Sequence, residues 1–598
     1  MVSSIFFVIT FLLLLSSLVL CYKVKQELNL IREIVMNLLF ILCYATMGSG
    51  ILSVLNLPVN LNTVGIMYLI PACILWGYII KTKKIQQLVI SRIEVISVVI
   101  LTVVFIAVEL KTFSFEMRAA YNYNTDAGNH LNMALSIVRS QKVSGMHFAS
   151  LFNALCIEIF QPMLEEIRYY KGFVFADSLH YYIEMIFAYA VIFSVAQKKH
   201  TKYLAPVITL LLWAGYPLYS YIEGHYVYWG WGAVVLCFMI HELEQASEEK
   251  NHYVFSMIRA IAGFIGVTFS YSLFAPLALV IAGVWAITEY KRKEIHLSRK
   301  IYIGIAAVGV VCIAFIGYVY YSYFYLNHLD PFASLKVHGG GFGPHLFTDF
   351  VWTLPVMILF FAACFKKEIR FHVYGMAFLT SCIVQICLLA AFFAGQISDY
   401  YYYKFYYPLW FLNWIVVALA IDTVPVERKE RKYIYAYAIT VGIIYISTFG
   451  KIPEKINSTP AGWLTNEGSM GTYLYTRNMG TLGEDFEKKK YSTAQFEICE
   501  YVMENLRSRG ESVPFAYWWD CGGPNNWYRA ITDMPNSVEY GLQQNGKEAW
   551  REVLESGDFH YYVVLKESEL YRDNRDYFDA QTWIFENEDG FIVQKNQN

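Results

Sequence analysis

Long apolar runs separated by short polar connections fill the first three quarters of the chain. A helix needs about 20 apolar residues to cross the hydrocarbon core of a bilayer. About 14 segments approach that length: 4–22, 34–55, 62–82, 93–110, 177–196, 203–222, 226–243, 253–271, 273–290, 301–325, 349–365, 371–395, 405–421 and 433–449. Pro276 splits the pair flanking Ser272. The first run follows Met1-Val2-Ser3-Ser4 and lacks the basic start and small-residue cleavage site of a signal peptide, so it reads as a span.

Basic connections stay on the cytoplasmic side of a membrane. Lys23–Arg32, Lys81–Lys84, Lys198–Lys202, Lys291–Lys300, Lys366–Arg370 and Arg428–Lys432 all fall on one side if the N-terminus is outside. The Glu-rich loop 242–252 falls there too and is not basic. This topology exports the loops 111–176, 326–348 and 396–404, and everything from Gly450 on. The fold expected is a polytopic α-helical membrane domain over 1–450, followed by a small extracytoplasmic α/β domain over 451–598.

Within loop 111–176 the period changes. Leu131, Ala134, Leu135 and Val138 share one helical face, and Asn129, His130, Asn132 and Arg139 share the other. Such a helix lies in the interface plane rather than crossing it. A second interfacial stretch, Met146–Leu164, follows. In the tail, Ser492 and Gln495 fit a capping box and Gly510 a helix stop. Phe496, Cys499, Val502, Met503 and Leu506 recur between them at helical spacing. Val513–Trp519 and Tyr561–Lys566 read as strands, and Trp583–Glu586 with Phe591–Gln594 as a hairpin around Asn587-Glu588-Asp589-Gly590.

Composition agrees with the pattern. The 598 residues are 56% apolar and 16% charged, against about 25% charged in soluble domains. A net charge of −2 gives no reason to expect nucleic acid. The 48 Tyr and 14 Trp suit interfacial belts at span ends. Most cysteines lie in apolar segments, where a thiol is a small hydrophobe. There is no CxxC pair. Cys499 and Cys521 lie in the soluble part, and whether they pair stays open.

The candidate chemistry sits on the exported face. Asp126 follows the fourth span, and Thr125 or Asp126 is the natural N-cap of the interfacial helix. A carboxylate there meets free backbone N–H groups and the positive end of the helix dipole, which favour its ionised form. It can take a proton from a hydroxyl acceptor beside the lipid headgroups. Arg118 and Arg139 are nearby external cations. Glu165 and Glu166 could hold a divalent cation, since hard cations want oxygen ligands. Late in the chain, Tyr403-Lys404 precedes a span, and a lone ammonium at that depth suits a phosphate group. His338 and His345 flank a Gly-rich loop that could close over a substrate, and His225 occupies another external turn. Glu184 is acidic and inside a span, one turn after His180, and a buried acid in a membrane is a functional suspect.

With these residues in view, the chain resembles the C-type membrane glycosyltransferase superfamily. Thr125-Asp126-Ala127-Gly128-Asn129-His130 stands where that family carries its acidic base. Tyr403-Lys404-Phe405-Tyr406-Tyr407 is similar to an aromatic-basic stretch near the lipid phosphate, and the tail with Phe559-His560-Tyr561-Tyr562-Val563-Val564-Leu565 is similar to their C-terminal domains. The resemblance implies an inverting hexosyl- or pentosyltransferase that uses a polyprenyl-phosphate sugar donor and a glycan or protein acceptor outside the cell membrane. Asp126 would be the base, and Lys404, Arg139, Arg118, His130, Tyr403, His225, His338 and His345 would bind substrate. No cofactor is required by this scheme, and a divalent cation remains open. About four spans precede Asp126, where the family usually has one. Either helices have been added at the N-terminus or Asp126 is not the equivalent residue. A lipid-linked glycan transporter, a polysaccharide polymerase or ligase, and a scaffold displaying Trp518, Trp519 and Trp527 are the competing readings.

Overall fold

The computed structural model describes residues 1–23, 27–112, 127–224, 227–248, 253–292, 317, 353–367, 369–423, 491–534 and 549–595. Each expected span contains helix except 301–325 and 433–449, which, Gly317 aside, lie outside the described residues. The helices are α1 (Val2–Leu20), α2 (Leu30–Val54), α3 (Leu61–Thr82), α4 (Arg92–Thr112), α5 (Ala127–Ser140), α6 (Phe148–Phe160), α7 (Tyr170–Val195), α8 (Lys199–Trp213), α9 (Tyr216–Tyr219), α10 (Val227–Glu248), α11 (Tyr253–Ser270), α12 (Ala275–Arg292), α13 (Leu354–Phe365), α14 (Val373–Phe393), α15 (Asp399–Lys404) and α16 (Tyr406–Thr423). Among the described residues, 8 helices are long and apolar enough to cross a membrane. A further pair, α8 and α9, bends by 42° between Ala214 and Tyr216, just before Pro217. This is a multi-pass α-helical membrane protein.

Local chemistry sets the helix starts. Asn29 accepts the N–H of Arg32 to open α2. Asn60 and Thr63 form a capping box at α3, and the carboxylate of Glu158 on α6 accepts the N–H of Leu61 there. Several spanning helices keep apolar side chains exposed, as at Ile70 and Ile74 on α3 and Val99 and Val103 on α4. Exposed apolar rows on spanning helices are lipid-facing surface. Helix α16 is the opposite case: its spanning window is almost wholly buried, so it runs through the middle of the bundle.

The described part of loop 111–176 forms helices. Leu131, Ala134 and Leu135 are buried along α5, and α6 follows at Phe148. The C-terminal part is a small α/β unit, and the boundary expected near 450 lies outside the described residues. Ser492 and Gln495 form the expected capping box at α17 (Thr493–Tyr501), and Gly510 ends the helical stretch with φ of 81°. After the short parallel pair β1 (Leu28–Asn29) and β2 (Leu88–Val89) in the membrane part, strands β3 (Tyr561–Leu565), β4 (Thr582–Glu586) and β5 (Gly590–Gln594) make an antiparallel sheet in the order β3-β5-β4, with the expected hairpin between β4 and β5. The expected strand Val513–Trp519 is reduced to one bridge, Phe515 to Val563. Pro514 has no N–H to give a ladder, and the chain turns into a 3-10 segment at Trp519. Trp518 and Trp527 are buried, so they form core rather than an exposed aromatic patch. Cys499 and Cys521 are both free and buried.

The C-terminal unit is interlocked with the membrane part through α18 (Gly522–Thr532), which packs along α5. The approach is closest at Gly128, where a Cβ would lie 2.7 Å from the carbonyl carbon of Asn526 and 2.8 Å from the nitrogen of Trp527. Backbone cannot yield as a flexible side chain can, so only glycine fits. Gly128→Val should push α5 off α18 and destabilise the docked state by about 1–3 kcal/mol, as overpacking does. Faster proteolysis of the C-terminal unit in detergent is the check, and an unchanged cleavage rate would contradict the interlock.

Candidate active site

Helix α5 opens at Ala127, the residue after Asp126. Asp126, Arg118, His225, His338 and His345 lie outside the described residues. What the structure does show is how α5 meets the Tyr403–Lys404 turn. His130, in the first turn of α5, is buried with its ring 4.7 Å from that of Tyr228. Tyr228 donates its hydroxyl to the sulfur of Met133 on the same helix, at 3.1 Å. The next residue, Trp229, donates its indole N–H to the carbonyl of Lys404 at 2.5 Å, and its ring lies 4.8 Å from the Lys404 ammonium. The first turn of α10 therefore touches α5 through one aromatic residue and Lys404 through its neighbour.

Lys404 ends α15, just before α16 begins at Tyr406. Its side chain is only 6% exposed. The ring of Tyr271 stands 5.8 Å from the ammonium, completing an aromatic wall with Trp229. Ring faces attract a desolvated cation, and that attraction helps a lysine survive burial. Phe274 fixes the Tyr271 ring edge-on at 4.9 Å, and Met146, in the link between α5 and α6, accepts the N–H of Ser272 at 3.4 Å. Tyr403 is buried against Tyr402 and Tyr406 at 5.3 and 5.7 Å. His130 and Lys404 thus pack on successive aromatic residues of α10, Tyr228 and Trp229, while the ring of Tyr403 packs on Tyr402 and Tyr406.

Arg139 and Glu166 meet elsewhere. Arg139, at the end of α5, donates to Asp533 at 2.9 Å and to the carbonyls of Ala530 and Ile531 at 3.2 and 3.3 Å. It caps the C-terminal end of α18, where a cation is favoured by the dipole. Glu166 lies 3.6 Å from Arg139 and accepts from Arg507 at 2.7 Å, so two protein guanidiniums meet its charge. Glu165 is 3.6 Å from Arg168. Arg139, Glu166, Arg507 and Asp533 line part of an open cleft of about 480 Å³.

Several charged groups have partners that the sequence alone does not reveal. Glu109, near the end of α4, is fully buried and accepts from Ser178 at 3.1 Å. The carboxylates expected in a polar loop, Glu242, Glu244 and Glu248, lie on the last turns of α10 and each faces a basic side chain. Glu242 accepts from Arg259 at 3.2 Å, and Glu244 meets His372 at 2.8 Å and the N–H of Val373 at 2.5 Å, opening α14. Arg370 lies 3.8 Å from Glu244 and 3.5 Å from Glu248. Burial, with the charge of Glu244 beside it, pushes the Glu248 carboxyl up to about 7, while Arg370 pulls it down. Glu244, Glu248 and His372 are close enough to share a metal ion, and in this structure they are tied to Arg370 and to the helix start. Glu184 accepts from Tyr407 at 2.6 Å, with His180 4.0 Å away.

No family model matches the chain, and no curated protein sequence matches it. Among solved structures, a crystal structure of ArnT from Cupriavidus metallidurans bound to undecaprenyl phosphate is similar, with a TM-score of 0.48 at 15% identity. The alignment covers 83% of this chain and 97% of that one. The apo form of the same protein gives 0.47 at 13% identity, covering 82% and 97%.

Proposed function

We propose that the protein is a membrane glycosyltransferase that moves a hexosyl or pentosyl unit from a polyprenyl-phosphate carrier to a hydroxyl acceptor outside the membrane. The observation that carries this reading is the buried Lys404 ammonium, walled by Trp229 and Tyr271, with Tyr228, the residue before Trp229, packed on His130 in the first turn of α5. A buried cation at the end of a spanning helix suits the phosphate of a lipid whose tail stays in the bilayer. Asp126 immediately precedes α5 in the sequence.

In this scheme Asp126 takes the proton of the acceptor hydroxyl as its oxygen bonds to the anomeric carbon. The bond from that carbon to the phosphate oxygen breaks on the opposite face, and its electron pair leaves with the phosphate, giving inversion. Lys404 stabilises the charge that grows there. A phosphate leaving group needs little protonation, so no separate acid is invoked. His130 and Tyr403 are read as further substrate contacts, and the basic connections support an outside position for Asp126 and for the C-terminal unit. Arg139 supports the scheme indirectly, holding α5 to the C-terminal unit.

Lys404→Ala should weaken use of the lipid donor by about 10–100-fold, the worth of a charge-assisted hydrogen bond. Transfer of labelled sugar from a panel of polyprenyl-phosphate donors into reconstituted vesicles is the assay. Movement of lipid-linked sugar across the bilayer with no transfer to any acceptor would replace the transferase reading with a transporter.

A further inference from the structure

We propose that Glu184 is a positioning residue for Lys404, acting through Tyr407 and Trp229. The inference rests on the reading of Lys404 as the phosphate partner. Glu184 is fully buried in the middle of α7 and accepts the Tyr407 hydroxyl at 2.6 Å. The Tyr407 ring meets the Trp229 ring at 4.8 Å, tilted by 55°. Trp229 then holds Lys404 twice, by its N–H to the backbone carbonyl and by its ring face to the ammonium. Each link in this path from acid to lysine is a directional contact.

The surroundings leave the path little freedom. Tyr216 packs against both Trp229 and Tyr407, at 5.8 Å each. Residue 230 is glycine because a Cβ there would stand 2.9 Å from the His180 ring and 3.5 Å from the Tyr407 hydroxyl. His180 stacks on Trp231 at 4.4 Å. Helices α7, α10 and α16 are therefore keyed together around the acid. Burying a carboxyl and a phenol in a membrane core is costly compared with a leucine and a phenylalanine of similar volume. A packed apolar pair would fill the same space without tethering the tip of the side chain at 407. The hydrogen bond holds the Tyr407 hydroxyl in place, and with it the direction of the ring against which Trp229, the support of Lys404, packs.

The test is binding of undecaprenyl phosphate in detergent micelles, with undecaprenol as the neutral control. Glu184→Leu and Tyr407→Phe should each weaken binding of the phosphate by about tenfold, the scale of a small misplacement relayed to a binding group. Undecaprenol binding should not change, and Glu184→Gln, which still accepts from Tyr407, should bind like the wild type. In the Lys404→Ala background, Glu184→Leu should add nothing, because the two act along one path. A purely structural Glu184 would weaken both lipids alike, or would add its full effect to Lys404→Ala, and either result overturns the inference. So does a Gln variant as weak as the Leu one. Tyr407→Phe loses a single oxygen and keeps the question open to measurement if Glu184→Leu does not fold. If Lys404→Ala itself leaves phosphate binding unchanged, the reading of Lys404 fails first, and the two failures are distinguishable.

Discussion

Asp126→Asn should leave the protein folded and able to bind its lipid donor while abolishing most sugar transfer. Asparagine starts a helix as well as aspartate does, so α5 keeps its beginning. It cannot accept a proton. General-base catalysis contributes roughly 10²–10⁴-fold to a rate, so transfer should fall by that factor with the donor affinity preserved. The measurement pairs single-turnover transfer in vesicles with lipid binding on the same preparation. An Asn variant that transfers at the wild-type rate would remove Asp126 from the mechanism. A variant that loses lipid binding as well would point to a role in α5 itself.

A larger effect on stability is expected at Arg259. This guanidinium is buried on α11 and is shared by Glu33 at 3.2 Å, Asn37 at 2.6 Å and Glu242 at 3.2 Å. Lys23 also reaches Glu33, at 2.5 Å. Arg259→Met keeps the apolar stem and strands Glu242 without its cation. Breaking one side of a buried ion pair costs about 3–5 kcal/mol, because the remaining charge stays out of water. The apparent melting temperature in detergent should drop sharply, and adding Glu242→Gln should restore part of the loss. No drop in the single variant, or a further drop in the double one, would show that the network is not what holds α10 to α11.

The spans were legible because crossing a bilayer demands a length of apolar chain that no local choice can disguise. The cap at Ser492 and the hairpin at Asn587 were legible for the same kind of reason, since their chemistry is confined to a few neighbouring residues. The ion pairs of Glu242, Glu244 and Glu248 were not. Their partners, Arg259, Arg370 and His372, are distant in the chain, so the stretch reads as a solvated loop although it is helix. Arg139 shows the same limit. Its place on an interfacial helix suits a lipid phosphate, and only the fold reveals α18 beside it. The strand expected over Val513–Trp519 has the right residues, but β3 already pairs with β5 on one side and meets Phe515 at a single bridge on the other. Lys404 was legible as a lone cation, while its aromatic wall comes from Trp229 and Tyr271, which apolar periodicity marks only as span residues.

The close fit of Gly128 against Asn526 and Trp527 has a bearing on biogenesis. Ribosomes deliver the chain in order, so every helix up to α16 can be inserted before residue 522 has been made. Until then α5 has no cradle. Competence would be withheld from nascent chains and conferred late, by the portion that emerges after the bundle is already in place.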